Sequence, residues 1–139
     1  MASYQRTHTV SSRGKGFTNI TEALRQIVSE SGVRTGLCTV FVQHTSASLV
    51  IQENADPAVL RDLERWLNDL APESRSWEHD DEGPDDMPAH VKASLLGPSL
   101  SLPVRDGRLA LGTWQSICLV DLNVDNDERG VRFSFLSDG

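Results

Sequence analysis

The sequence predicts an α+β fold in a single domain, with helices from the middle of the chain layered against a sheet-rich C-terminal half. Three observations carry that reading. Three segments read as helices from their apolar spacing and their start and stop signals. From residue 99 onward, apolar and polar residues alternate with a period of two, broken by turn-forming dipeptides. At 139 residues the chain has the size of one domain that buries its own core without staples.

Residues 3–12 alternate weakly through Tyr4, Arg6, His8 and Val10, which predicts an edge or surface strand with His8 facing solvent. Residues 11–16, with two glycines, form a turn. Asn19 is the expected cap of the first helix. Behind it Ile20, Ala23, Leu24, Ile27 and Val28 fall on one face, Glu22 stands where a capping box needs it, and Gly32 supplies the stop.

Residues 37–43 are rich in β-branched and aromatic side chains and predict a strand. Apolar on both faces, it is expected to be central and covered on two sides. It runs through His44-Thr45-Ser46-Ala47-Ser48 into a short apolar strand at 49–51. Asp56 as cap and Pro57 at the first helical position start a second helix. Its stripe of Val59, Leu60, Leu63, Trp66, Leu67 and Leu70 is expected in the core, Trp66 included, and Pro72 ends it.

Residues 79–90, His-Asp-Asp-Glu-Gly-Pro-Asp-Asp-Met-Pro-Ala-His, are the least ordinary stretch. No apolar period runs through them, so they fill no core. Between Glu73 and Asp86 stand seven acids and one base, Arg75, a local charge of −6 in a chain of −7. A third helix starts at Asp86 or Met87 with Pro88 in its first turn, turns Val91 and Leu95 inward, and stops at Gly97-Pro98. His90 then lies in the first turn, where the helix dipole disfavours a protonated imidazole.

Residues 99–104 alternate as a strand, and Arg105-Asp106-Gly107-Arg108 is a tight hairpin turn. A strand resumes at 109–111, is interrupted by Gly112-Thr113-Trp114-Gln115, and is followed by another at 116–122. Residues 125–130 read as a polar turn and 131–136 as the last strand.

Composition excludes several classes. No apolar run approaches the ~20 residues of a membrane span. The N-terminal residues have no hydrophobic signal core, so a cytoplasmic protein is expected. The acidic balance, with no basic stripe, argues against a nucleic-acid partner. Cys38 and Cys118 sit in apolar runs without a CxxC pattern and read as buried free thiols.

The chemistry gathers on histidines and acids. Imidazole with carboxylate is the donor set of zinc, manganese and iron sites. His44, His79 and His90 would form a three-histidine zinc pattern with one open position. Two of them with Glu82 or Asp86 would suit manganese or iron. Thr45 and Ser46 could present hydroxyls and N–H groups to an anion. The spacing from Gly107 to Gly112-Thr113 imitates a phosphate loop, but its lysine is absent and strands flank it. Arg105 and Arg108 read as solvated turn residues, with phosphate binding as the other reading.

Three motifs together resemble the YjbQ family. They are His44-Thr45-Ser46-Ala47-Ser48 with Glu53-Asn54-Ala55-Asp56-Pro57, the whole stretch 79–90, and Ser99-x-x-Leu102-x-Val104-x-x-Gly107-x-x-x-x-Gly112-Thr113-Trp114-Gln115-x-Ile117. The resemblance implies a compact α+β domain around a β-sandwich or mixed sheet with three helices, assembled as a homotrimer. It also implies a secondary thiamine-phosphate synthase activity. That reaction joins hydroxymethylpyrimidine diphosphate to hydroxyethylthiazole phosphate and releases pyrophosphate. Under it, His44, His79 and His90 hold a divalent metal, zinc first and magnesium or manganese next. Asn54, Glu82, Asp86, Trp114 and Gln115 are the catalytic candidates, and Thr45, Ser46 and Thr113 bind substrate. A metal-dependent hydrolase and a non-catalytic trimeric metal- or ligand-binding protein are the competing expectations.

Overall fold

In the computed structural model, residues 2–11, 14–123 and 128–137 are described. They form β1 (Ala2–Ser11), β2 (Gly16–Asn19), α1 (Thr21–Ser31), β3 (Gly36–Val42), β4 (Ala47–Glu53), α2 (Pro57–Leu70), α3 (Asp86–Leu96), β5 (Ser99–Arg105), β6 (Arg108–Leu109), β7 (Gln115–Asp121) and β8 (Glu128–Ser137). One sheet runs β1-β8-β3-β5-β6 and the other β2-β7-β4, and the ladders are antiparallel. No helix among the described residues is long and apolar enough to cross a membrane.

The two sheets and α1 enclose the main core. Val40 and Val42 of β3, Leu102 and Val104 of β5, Leu49 of β4, Ile117 and Leu119 of β7, and Leu24 and Val28 of α1 meet there. A second, smaller cluster lies on the far side of β7, where Val120 and Leu122 pack under Ala89 of α3. Every residue of β7 after Gln115 is buried. Successive side chains in a strand point to opposite faces, so β7 is the strand covered on two sides.

That place was expected for β3. β3 is central in its sheet, but it buries Cys38, Val40 and Val42 and leaves Leu37 41% and Phe41 39% exposed on the other face. Two further expectations change for the same reason: an apolar stripe does not say how much of it is covered. Trp66 is 59% exposed and Leu70 is 48% exposed, and Leu67 is the buried residue of α2. In α3, Leu95 is exposed and Val91 half-buried, whereas Asp86, Pro88, Ala89 and Lys92 are buried. Ala89, with no exposed surface, lets α3 approach Val120 closely. That choice of face carries Lys92 inward, where its Nζ donates to Asn68 Oδ1 at 2.7 Å and ties α3 to α2. Burial pushes the Lys92 ammonium down from its ordinary range.

Local signals explain most of the ends. Asp56 caps α2 by accepting from the Ala58 N–H at 2.9 Å, with Pro57 first in the helix. Asn19 Oδ1 accepts from the Thr21 N–H at 2.9 Å and from the Thr21 hydroxyl at 2.6 Å. Glu22 does not close a capping box; it pairs with Arg25 instead. Gly32 is left-handed, as a helix stop requires. Asp106 and Gly107 both have positive φ, 54° and 75°, which makes the β5–β6 connection a primed hairpin turn. β2 was not anticipated; it follows the expected turn at 11–16, of which residues 12 and 13 lie outside the described set. Of the polar turn expected at 125–130, residues 125–127 lie outside the described set, and 128–130 belong to β8. Cys38 and Cys118 are free and buried, and burial pushes the Cys38 thiol up to about 12.

The reassignment of Trp66 is measurable. In a denaturant titration, Trp66→Ser is expected to change stability by less than about 1 kcal/mol, whereas Leu49→Ala costs ~3 kcal/mol. Equal losses at the two positions would return Trp66 to the core.

Candidate metal centre

The histidine site is built where the acidic loop turns into α3. Asp86 is the first residue of that helix and His90 follows four positions later, so the two side chains share one face. The loop brings His79 back over the same carboxylate. His79 Nε2 stands 2.7 Å and His90 Nε2 3.1 Å from Asp86 Oδ2, and the two rings meet edge to face at 5.6 Å. The other oxygen, Oδ1, accepts from Asn123 Nδ2 at 3.3 Å. Asn123 stands two residues past the doubly covered β7, so the chain leaving the buried sheet fixes the carboxylate while the loop supplies an imidazole.

His79, Asp86 and His90 each offer one ligand atom, and these lie within 4.8 Å of one another. Two imidazoles and one carboxylate on one side, with the other side open, is a donor set that catalytic zinc and iron sites share. Asp86 has 10% side-chain exposure against 39% for His79 and 34% for His90, so the anchor is buried and the imidazoles reach solvent. The Asp86 hydrogen bond is the main cause that raises the His79 pKa. Burial pushes the Asp86 carboxyl up, but the His79 hydrogen bond, the His90 charge and bonds from Glu82 and Asn123 together hold it below its usual range. Each partner therefore favours the charged form of the other.

The remaining expected residues divide in two. Glu82 joins the cluster's rim, its Oε2 3.5 Å from His79 Nε2, and Asp81 lies 3.7 Å from Nδ1. Ser46 lies close to the β7 end that carries Asn123, because its carbonyl accepts from the Leu122 N–H at 3.0 Å. His44 and Thr45 precede it at the β3–β4 junction. His44 is not a member of the three-residue cluster. Asn54, Thr113, Trp114 and Gln115 are elsewhere. The register runs from Ala47↔Asp121 to Glu53↔Gln115, six steps or roughly 20 Å of strand. At that far end Asn54 N–H donates to the Trp114 carbonyl at 3.0 Å, and Gln115 Oε1 accepts from the Gly112 N–H at 2.7 Å. Within one chain, these four residues do not face the histidines.

Three residues at the site had not been singled out. Asn123 is one. The others are Arg75 and Trp77, which with His79 line an open cleft of ≈ 640 Å³ beside the cluster. Arg75 sits over the Trp77 ring at 5.0 Å, and Trp77 Nε1 donates to the Pro72 carbonyl at 3.1 Å. A tryptophan two positions before a loop histidine was the available signal. Asn123 left none, since 37 residues separate it from Asp86.

The family model described as UPF0047 protein YjbQ-like matches residues 6–138. A UPF0047 protein of Synechocystis is 50% identical over 117 residues, covering 84% of this chain and 80% of that one. The UPF0047 protein YjbQ of Escherichia coli O157:H7 is 45% identical over 129 residues, covering 92% and 94%. Among solved structures, a YbjQ-like protein of unknown function from Sulfolobus solfataricus superposes with a TM-score of 0.90 at 32% identity, covering 99% of both chains. An uncharacterised YjbQ/UPF0047 protein from Clostridium acetobutylicum gives 0.83 at 34% identity, covering 96% of this chain and 99% of that one.

The charge pair has a defined pH signature with chelator present. The raised His79 contributes stability that is full below its unfolded pKa and is lost as pH rises through the raised value. The depressed Asp86 contributes stability that is full above its unfolded pKa and is lost as pH falls through the depressed value. The melting-temperature difference between the native chain and His79→Ala is therefore expected to peak between about pH 4 and about pH 6.5 and to shrink on both sides. A difference that is flat from acid to alkaline pH would contradict the pairing.

Proposed function

Because the chain belongs to the YjbQ-like UPF0047 family, we propose that it is a metal-dependent enzyme of the secondary thiamine-phosphate synthase type. It would join hydroxymethylpyrimidine diphosphate to hydroxyethylthiazole phosphate with release of pyrophosphate. The observation that carries this reading is the convergence of His79 Nε2 and His90 Nε2 on one oxygen of the buried Asp86, with both imidazoles reaching solvent. The donors fit a divalent cation: neutral imidazole and ionised carboxylate are its ordinary ligands, and Asn123 orients the carboxylate as a supporting hydrogen bond should. Zinc is the first candidate, with manganese and magnesium next.

A divalent cation bound there would neutralise the charge that develops on a departing pyrophosphate. The chain's own residues do the rest. Arg75, steadied on Trp77, offers a guanidinium fork to a phosphate in the cleft beside His79. Glu82, 65% exposed at the rim, is placed to take a proton from a group entering beside His79. Asp81, Glu82 and Asp80 alone would repel a diphosphate, so this chemistry needs the cation. The expected homotrimer belongs to the same proposal, supported by the exposed Leu37 and Phe41 on one sheet face. In such an assembly, Asn54, Thr113, Trp114 and Gln115 could act on a neighbouring subunit's substrate.

The test begins with elemental analysis of the purified chain, where about one divalent ion per chain is expected, and less than a tenth of that in His79→Ala or Asp86→Asn. Pyrophosphate release is then followed with the pyrimidine diphosphate alone and with both substrates. Release that requires both, and that falls at least ~100-fold in Asp86→Asn, supports transfer. Release from the diphosphate alone indicates a hydrolase, and an unchanged metal content in both variants removes the site.

A further inference from the structure

Among the described residues, half of the arginines whose side chains are placed have partners. Arg6 pairs with Glu30, Arg25 with Glu22 and Arg65 with Asp62, and Arg75 lies over Trp77. Arg34, Arg61, Arg105 and Arg108 make no ion pair or side-chain hydrogen bond with another described residue. Three of those four meet at one place. Arg105 and Arg108 stand directly opposite each other across the primed hairpin. The Gly107 N–H donates to the Arg34 carbonyl at 3.0 Å, and the Arg34 guanidinium lies across Gly107, 3.3 Å from where a Cβ would stand.

Like charges facing each other across two strands destabilise them. A chain with 20 acids and 13 bases could easily have supplied a counter-charge. None of the residues lining the adjoining cleft is acidic: Arg25, Ser29, Gly107, Arg108 and Leu109 line an open cleft of ≈ 500 Å³ between α1 and the hairpin. The left-handed Gly107 keeps its floor free of a side chain.

We propose that this cleft is a binding site for a small phosphate-bearing anion, held by the guanidinium groups of Arg34 and Arg108 and by the Ser29 hydroxyl, with Arg25, paired to Glu22, at its margin. Guanidinium forks match phosphate oxygens two at a time, which a hydrated ammonium does not. The cleft holds more than one phosphate group, so the ligand is a phosphate ester or a diphosphate rather than the free ion. A polynucleotide does not fit, because the surrounding surface of this acidic chain repels an extended polyanion. The site shares no residue with the histidine cluster and does not depend on a metal.

The experiment is calorimetric titration of the full chain with inorganic pyrophosphate, at low salt and with EDTA so that no metal bridges the probe to His79. One saturable site is expected. Arg34→Gln with Arg108→Gln is expected to weaken it at least about tenfold, since each lost charge-assisted bond removes a sizeable part of the binding. Arg108→Lys, which keeps the charge and loses the fork, is expected to fall between. His79→Ala is expected to bind like the native chain. These arginines are exposed, so circular dichroism is expected to be unchanged in the variants, and pyrophosphate raises the melting temperature of the native chain but not of the double variant. Absence of saturable heat, equal affinity in the double variant, loss of binding in His79→Ala, or tighter binding of single-stranded RNA than of pyrophosphate would each overturn the proposal.

Discussion

The structure depends on one strand having two apolar faces. β7 sends Ile117 and Leu119 into the sandwich and Val120 under α3, where Leu122 just beyond the strand joins it. Remove either set and the helical layer loses its floor or the two sheets lose their centre. Two residues past that strand stands Asn123, and Asn123 holds Asp86. The candidate metal centre is thus anchored to the buried sheet, although two of its three candidate ligand atoms belong to partly exposed imidazoles. That combination suits a site that must accept a cation from solvent and then keep one ligand oxygen in place.

Site and fold differ in how much of them could be read from residues. Elements were legible because their signals are local: Asp56-Pro57 for α2, Gly32 for the end of α1, Asp106-Gly107 for the hairpin. Coverage was not. Trp66 lies in a clean helical stripe, yet only Leu67 of that stripe is buried, because the surface beneath α2 is narrower than the stripe. Lys92 reads as polar and outward, yet it is inside because Ala89 dictates which face of α3 meets Val120. The β3 run looked covered on both sides because it is apolar on both, but coverage is a property of the neighbouring layer.

Within the site, Asp86 and His90 were readable as an i, i+4 pair on a helix start, and their proximity to His79 as a short loop. The separation of the other motifs was not. Two antiparallel strands seven residues long put the 44–46 junction at one end and 112–115 at the other. Motifs close in a list of family signatures are here about one strand length apart. The acidic pole gathers imidazole and carboxylate, with Arg75 and Trp77 beside them, whereas the opposite end gathers Trp114 and the amides of Asn54 and Gln115. Each pole is chemically coherent by itself.

Double burial of β7 has a cost during folding. In a strand with one wet face, slipping the pairing by one residue throws its apolar side chains into water, and that penalty enforces the register. Here both faces are apolar, so a slip would exchange one buried set for another and the hydrophobic effect would scarcely object. Alignment must come from polar groups at defined positions. The Ser116 hydroxyl donates to the Gln52 carbonyl at 2.8 Å, and the Thr21 hydroxyl accepts from the Ile117 N–H at 2.9 Å. Those few bonds act as the pins that select one alignment from several nearly as greasy, and they are the positions where a conservative-looking replacement would misalign the sheet rather than merely weaken it.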